Sequence, residues 1–157
     1  MNRAAVVAAL VADLRVQIRV AKDRAKATVE SATHAESKQE NDKDTRALEE
    51  TYLAAGQAQR VAQLELDLLA IRSHSAPPKS DVVVVGALVE IEDDERSRRL
   101  FVSARGGGMS VTVDGVDVQV ISPGSPLGRA IIGRSEGDEI SLRLKGGVRV
   151  YEIVSHG

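Results

Sequence analysis

Acidic residues gather in one short segment of this 157-residue chain. The six that fall between residues 36 and 50 are Glu36, Glu40, Asp42, Asp44, Glu49 and Glu50. Mg²⁺ is typically held in proteins by one or two carboxylates while it keeps several of its waters. Asp42 and Asp44 also suit the positive N-terminus of a helix that Asn41 would cap, and capping alone accounts for either residue as readily. Capping does not account for Glu36, on the other side of the turn, so the segment predicts capture of a magnesium ion.

A basic stripe precedes the acidic segment. Arg15, Arg19, Lys22 and Lys26 are spaced four, three and four residues apart, so they share one face of a helix. An ordinary solvated helix face is the interpretation that we favour for this pattern. The alternative is a stripe that contacts phosphates of RNA or DNA.

Composition excludes several kinds of site. The chain has no cysteine, three scattered histidines and three aromatic residues, and its formal net charge is −2. These counts exclude a thiol nucleophile, a disulfide, a thiolate or histidine zinc site and an aromatic platform for single-stranded nucleic acid. The longest apolar run, Val82 to Val89, is far shorter than the roughly 20 residues that span a membrane. We therefore expect a protein of the cytoplasm with no membrane segment.

Heptad patterns on both sides of the acidic segment predict the elements that position it. The first pattern combines Val7, Leu14, Ala21, Thr28 and Ala35 with Val11, Ile18, Ala25 and Ala32. The second combines Leu48, Ala55, Ala62 and Leu69 with Tyr52, Gln59 and Leu66. Such repeats are typical of helices that pack along a seam, and a short polar turn between them favours an antiparallel hairpin. The acidic segment would then form the tip of a two-helix stalk.

Glycine and proline divide the chain into two parts. Only Gly56 precedes residue 77, and all four prolines follow residue 76, so only the first part can be mostly helical. We predict an α+β protein with a coiled-coil hairpin over residues 1–76, a linker over 77–81 and a compact domain over 82–157. In that domain, alternating apolar residues and glycine-containing turns predict a small, mostly antiparallel sheet with one short helix over residues 125–133. The predicted strands are Val82–Val85, Leu88–Glu92, Leu100–Ala104, Ser110–Val113, Val116–Ile121, Glu139–Leu144 and Val148–Val154.

The C-terminal part resembles a known family, the bacterial Gre transcript cleavage factors (GreA and GreB). The resemblance is carried by Ile121-Ser-Pro-Gly-Ser-Pro-Leu-Gly-Arg-Ala-Ile-Ile-Gly133 and continues through Gly137-Asp-Glu139 to Tyr151-Glu-Ile-Val154. Its signature residues are Ser125, Pro126, Leu127, Gly128, Arg129 and Gly133. The resemblance implies an FKBP-like fold for the C-terminal domain. Because the only aromatic residues of that domain are Phe101 and Tyr151, we expect no prolyl isomerase activity.

The same resemblance implies a function without an intrinsic active site. Gre factors bind bacterial RNA polymerase through the C-terminal domain and insert the hairpin into its secondary channel. Acidic tip residues then help the polymerase to hold a second Mg²⁺ and to hydrolyse backtracked RNA near the nascent 3′ end. This chain would accordingly be an accessory factor rather than an enzyme. We expect it to act as a monomer, to share that ion with the polymerase rather than bind it stably alone, and to use the stripe of Arg15, Arg19, Lys22 and Lys26 for contacts with polymerase or nucleic acid.

The tip matches the family motif only in part. Glu40-Asn41 corresponds to the Glu-Asn pair of a motif that runs Asp-x-x-Glu-Asn, but Ser37 stands where the aspartate is expected. We therefore take Glu40 and Asp42 as the metal ligands, with Asp44 and Glu36 as further catalytic candidates. The departure leaves two alternatives open: a regulator that occupies the channel without cleavage, and a coiled-coil adaptor unrelated to polymerase.

Overall fold

The computed structural model describes residues 2–36 and 43–157, with side chains described at residues 2–31, 45, 46 and 48–157. Two long helices come first, α1 (Arg3–Glu36) and α2 (Lys43–Ser73). Both sequences are free of proline, and alanine and other good helix formers are frequent in them. Lys22 Nζ of α1 lies 2.9 Å from Glu65 Oε1 of α2. Because the six residues between Glu36 and Lys43 are too few to return the chain to the start of α1, this contact requires the helices to run antiparallel. The predicted helical hairpin is confirmed.

The inner face of α1 follows the predicted heptads. Leu14, Ile18 and Ala21 are buried, and Ala25 and Thr28 are half-buried. These residues recur every three or four positions, so they form one apolar stripe along the helix. The sequence pattern therefore identified the seam of α1 correctly as far as Thr28; the side chains of Ala32 and Ala35 lie outside the described residues.

The seam predicted for α2 is wrong. Leu48, Tyr52 and Leu66 of the predicted seam are 54%, 70% and 48% exposed. Most of the residues of α2 that are described as buried or half-buried follow a second heptad pattern: Glu50, Ala54, Gln57, Val61, Leu64, Leu68 and Ile71. The other two, Asp67 and Ala70, are next to members of that pattern in sequence. The two patterns are offset by two residues, which is roughly 200° around a helix. Both patterns contain leucine and alanine, so hydrophobicity alone does not decide which of them faces α1.

A six-stranded sheet and one short helix follow the hairpin. The strands are β1 (Leu88–Glu92), β2 (Ser97–Val102), β3 (Ser110–Val113), β4 (Val116–Ile121), β5 (Glu139–Leu144) and β6 (Gly147–His156), and the helix is α3 (Pro126–Ile131). Their order in the sheet is β3-β4-β2-β1-β6-β5. The α+β class is confirmed.

The strand directions confirm the predicted, mostly antiparallel sheet and add one parallel pair. β2 and β4 pair in parallel while the other neighbours are antiparallel, so the sheet is mixed. The tight turn at Asp114 and Gly115, which have φ of 52° and 77°, joins β3 to β4 as an antiparallel hairpin. β3 takes the outer edge, and β4 enters the sheet beside β2 in the same direction. The predicted strand Val82–Val85 is wrong, because Val83 bonds only to the segment after α3, through Gly133 N–H and Arg134 C=O.

The core of this domain lies between the sheet and α3. Ile131 of α3 is fully buried against strand residues, and Leu127, Ala130 and Ile132 pack beside it. Phe101 and Tyr151, the aromatic residues of the C-terminal part, are 0% and 1% exposed. Both rings therefore serve packing and line no surface.

By its contacts, the chain divides into two compact units: Leu14–Leu66, and Met1–Asp13 together with Asp67–Gly157. The second unit thus contains the first turns of α1 and the last turns of α2. Leu10 and Ile71 are fully buried there, and Arg105 Nε donates to Asp67 Oδ1 at 2.9 Å. The sequence places the linker between the two parts at residues 77–81, which include two adjacent prolines. The contacts between residues instead place the boundary of the units inside α1 and α2.

Arg3 joins four segments of that second unit. Its guanidinium donates to the carbonyl oxygens of Gly157 and His74 at 2.9 Å each, and to that of Ala76 at 3.3 Å. The guanidinium carbon also lies 5.3 Å from the centre of the Phe101 ring, within the range of a cation–π contact. One side chain near the N-terminus therefore ties the start of α1 to the segment after α2 and to the sheet.

Candidate functional site

The acidic segment runs from the end of α1 into the first turns of α2. Glu36 is the last residue of α1, and Asp44 is the second residue of α2. Because the helices are antiparallel and only six residues join them, these two backbone positions lie at the same end of the hairpin. The first turn of a helix carries a partial positive charge, which favours carboxylates there. Glu40 and Asp42, the predicted metal ligands, lie outside the described residues.

Glu50 is an acid of this segment whose position the sequence pattern did not predict. It lies on the inner face of α2, about two turns from the start of the helix, and its side chain is half-buried. Its Oε2 is buried and has no hydrogen-bond donor among the described residues. Burial of a carboxylate oxygen without a donor costs free energy. Glu50 therefore joins the candidate carboxylates, and the second heptad pattern of α2 is the signal that could have revealed it.

Metal binding at the tip stays a prediction. Among the described side chains, no group of three His, Asp or Glu residues lies close enough together to hold a metal ion. That statement covers neither Glu40 nor Asp42. The chemistry of the donor set suits Mg²⁺, since every candidate offers carboxylate oxygens.

The basic stripe of α1 is exposed and partly neutralised. Lys22 pairs with Glu65 at 2.9 Å, and Lys26 Nζ lies 4.0 Å from Glu30 Oε1. All four side chains are at least half exposed in these two pairs, so each pair contributes little to stability. Arg15 and Arg19 are exposed and have no ion-pair partner among the described residues. The uncompensated positive charge of the stripe is therefore concentrated at these two arginines.

The glycine-containing turn before α3 is fixed by its own side chains. Ser125 caps α3: its Oγ accepts from Gly128 N at 3.0 Å and donates to Ser122 O at 2.8 Å. A Cβ on Gly128 would lie 2.0 Å from Ser122 O, so no residue other than glycine fits there. Arg129 donates to Gly124 O and closes the turn on its exposed side. Three of the signature residues, Ser125, Gly128 and Arg129, thus form the turn and the start of α3.

Comparison with known proteins places the chain in a family. A family profile described as transcription elongation factor GreA/GreB, C-terminal, matches residues 77–156, which is about half of the 157-residue chain. The chain belongs to the GreA/GreB family. The family match contains all six strands and α3 and leaves out the hairpin. The resemblance carried by the signature turn is thereby confirmed.

Curated relatives show the same affiliation. The chain is 35% identical over 78 residues to transcription elongation factor GreA of Polaromonas naphthalenivorans, an alignment that covers 46% of this chain and 44% of that protein. It is 36% identical over 101 residues to GreA of Anaeromyxobacter sp. (strain K), covering 61% and 56% respectively. These alignments span about half the length of the relatives.

Solved structures of similar proteins were also found. The GreA/GreB elongation factor from Nitrosomonas europaea is 25% identical, with a TM-score of 0.38 and coverage of 72% of this chain and 93% of that one. GreA factor homolog 1 of Thermus thermophilus is 21% identical, with a TM-score of 0.38 and coverage of 94% of each chain. Among the described residues, no helix is long and apolar enough to cross a membrane.

Proposed function

We propose that this Gre-family protein binds RNA polymerase, inserts the hairpin into the secondary channel and stimulates cleavage of backtracked RNA. The family match over residues 77–156 carries the proposal. The architecture supports it, because an antiparallel hairpin precedes the matched domain and acidic residues lie at the turn between its helices. In this proposal the protein acts in the cytoplasm, as a monomer, at the nascent RNA 3′ end.

The tip carboxylates would supply the chemistry. Glu40 and Asp42 would hold a magnesium ion jointly with the polymerase, and Glu36, Asp44 and Glu50 would add negative charge around them. When bound, such an ion activates a water and stabilises the charge that develops on phosphate. The protein's own contribution is to bring oxygen ligands to a site that is otherwise complete. It would therefore be an accessory factor, with bond cleavage performed by the polymerase.

The basic stripe of α1 would contact polymerase or nucleic acid when the hairpin enters the channel. Arg15 and Arg19 are exposed cations without ion-pair partners among the described residues, so they can approach phosphates or acidic surfaces at low desolvation cost. Lys22 and Lys26 would contribute less, because carboxylates of the same unit already neutralise part of their charge.

A second candidate is a regulator that occupies the secondary channel without promoting cleavage. The specific observation in its favour is Ser37, which stands where the family motif has an aspartate. A tip with one carboxylate fewer at that position would hold a shared magnesium ion less tightly. Such a protein would change initiation or pausing and would leave RNA length unaltered.

The test is an RNA cleavage assay on a stalled elongation complex of the cognate polymerase, in which the length of end-labelled RNA is measured. The proposal expects shortened RNA when the protein is added, and no shortened RNA when polymerase is omitted. Polymerase binding with unchanged RNA length would favour the non-cleaving regulator. Absence of polymerase binding would contradict both candidates and favour the coiled-coil adaptor.

A further inference from the structure

The outer face of the β5–β6 hairpin is apolar and uncovered. Val148, Val150 and Val154 of β6 are 60%, 48% and 40% exposed, while the alternate residues Tyr151 and Ile153 point into the core. Alternation along a strand sends side chains to opposite faces, so the three valines share one side of the sheet. Each of the three therefore keeps a large part of its surface in contact with solvent. β5 is moreover the last strand of the sheet.

A row of glutamates crosses this face. Glu152 of β6 is paired with Glu139 of β5 on one side and with Glu92 of β1 on the other. All three side chains are exposed. Like charges directly opposite each other on neighbouring strands are destabilising. The fold therefore keeps three carboxylates side by side at a cost to its own stability.

The row borders a hollow of about 330 Å³. It is lined by Glu92, Asp93, Asp94, Glu139, Val150 and Glu152. Asp93 is neutralised locally: Arg149 donates to it at 3.2 Å, and backbone N–H groups of Glu95 and Arg96, with that arginine, lower the pKa of its carboxyl. The other four carboxylates have no ion-pair partner among the described residues. The hollow thus places one apolar side chain, Val150, beside uncompensated negative charge.

The charge determines what can cover the valines. Nucleic acid and anionic lipid headgroups would be repelled by the glutamate row. A second copy that packed its own β5–β6 face here would bring one arginine, Arg143, against three glutamates. Charge complementarity therefore favours a polypeptide surface that presents apolar residues next to several Lys or Arg residues.

We propose that the β5–β6 face docks on RNA polymerase, at a surface segment of the polymerase that is apolar and basic. This inference rests on the proposed function and specifies one of its contacts. The valines would lose water on binding, and the glutamates would gain cations that the free protein does not supply. The repulsion within the glutamate row is then relieved only in the complex.

The experiment measures the Kd for cognate core polymerase by biolayer interferometry, from about 50 mM to 300 mM salt. Variant Glu139→Gln/Glu152→Gln removes two charges of the row, and Asp81→Asn/Asp114→Asn removes two charges elsewhere as a matched control. Variant Val148→Thr/Val150→Thr keeps side-chain shape and replaces methyl groups by hydroxyls. All six positions are exposed, so each protein should fold, and a thermal melt of each verifies this.

We expect the glutamate variant to bind about five to ten times more weakly at low salt, with the difference shrinking as salt screens the charges. Its melting temperature should not fall, because it relieves repulsion; a purely structural role of the glutamates predicts the opposite. The valine variant should bind about five to ten times more weakly at every salt concentration, and the control should bind as the wild type does.

Equal affinity of all variants for polymerase, with the wild type bound, would overturn this inference and leave the proposed function intact. No binding by the wild type would overturn both. A dimer in solution that Val148→Thr/Val150→Thr dissociates would also overturn it, because the occupant would then be a second copy.

Discussion

Replacement of Gly128 by alanine should destabilise the C-terminal unit severely. A Cβ at this position would lie 2.0 Å from Ser122 O and 2.9 Å from Ser122 C, both backbone atoms. The carbonyl would have to retreat by more than about 1 Å to reach ordinary van der Waals distance. That carbonyl accepts from Ser125 N at 3.1 Å and from Ser125 Oγ at 2.8 Å, so its retreat breaks both bonds that hold the capping residue of α3.

The magnitude follows from these contacts. Steric overpacking in a well-ordered region costs about 1–3 kcal/mol. Loss of the two hydrogen bonds to the Ser122 carbonyl costs about 1 kcal/mol each. Alanine restricts the unfolded chain more than glycine does, which offsets about 0.4–1 kcal/mol of this loss in stability. The free energy of unfolding should therefore fall by about 3 kcal/mol, and the melting temperature by about 6–12 °C for a chain of this size.

Differential scanning calorimetry of Gly128→Ala measures this change. Gly124→Ala is the matched control, since it lies in the same turn and its Cβ would meet nothing within 4 Å. The control should melt within about 2 °C of the wild type. Equal melting temperatures for the two variants would refute the packing of α3 against the Ser122 carbonyl.

Three further predictions concern the hairpin and its base. Leu64→Ala should cost about 2–4 kcal/mol and Leu66→Ala less than about 1 kcal/mol in urea unfolding followed by circular dichroism, because only Leu64 is buried; the reverse order would restore the originally predicted seam. Arg3→Lys should cost about 1–2 kcal/mol in the same assay, since an ammonium cannot reproduce the guanidinium's bonds to two backbone segments, and an unchanged midpoint would contradict that role. Burial and the nearby Arg3 charge lower the pKa of His74, so the unfolded chain binds more protons as pH falls through about 6.5 and stability should decrease between pH 7.5 and pH 5.5. His74→Gln should flatten that decrease, and an equally steep profile in the variant would assign it to other groups.

Much of the fold was accessible from the sequence because single elements have local signals. The boundaries of β1, β3, β4 and β5 follow from alternating apolar residues between glycine-containing turns. The partners of those strands do not follow from local signals. β4 pairs in parallel with β2 because β3 occupies the edge, and this depends on contacts between distant segments.

The same limit explains the error in α2. Two heptad patterns run through this helix, and the predicted one contains the larger apolar side chains, Leu48, Tyr52 and Leu66. The buried pattern contains Glu50 and Gln57, which hydrophobic periodicity penalises. The packing against α1 decides between the two patterns, and it is not encoded in the periodicity of α2.

The acidic tip and the glutamate row also differ in how far the sequence alone reveals them. Acidic residues of the tip are adjacent in sequence, so composition reveals them directly. The glutamate row comes from three strands, and Glu92, Glu139 and Glu152 become neighbours only through the sheet register. A local sequence pattern cannot bring such residues together.

The central claim is that tip carboxylates supply oxygen ligands for a magnesium ion in the polymerase. The most direct measurement is the magnesium dependence of RNA cleavage in a stalled elongation complex, with saturating factor. Wild-type protein should lower the magnesium concentration needed for half-maximal cleavage, and Glu40→Gln should remove most of that effect and slow cleavage by about 100-fold. Asp23→Asn, which removes an exposed acid from the shaft, should behave as the wild type does. Identical magnesium dependence for the wild type and Glu40→Gln, at equal polymerase binding, would contradict the claim.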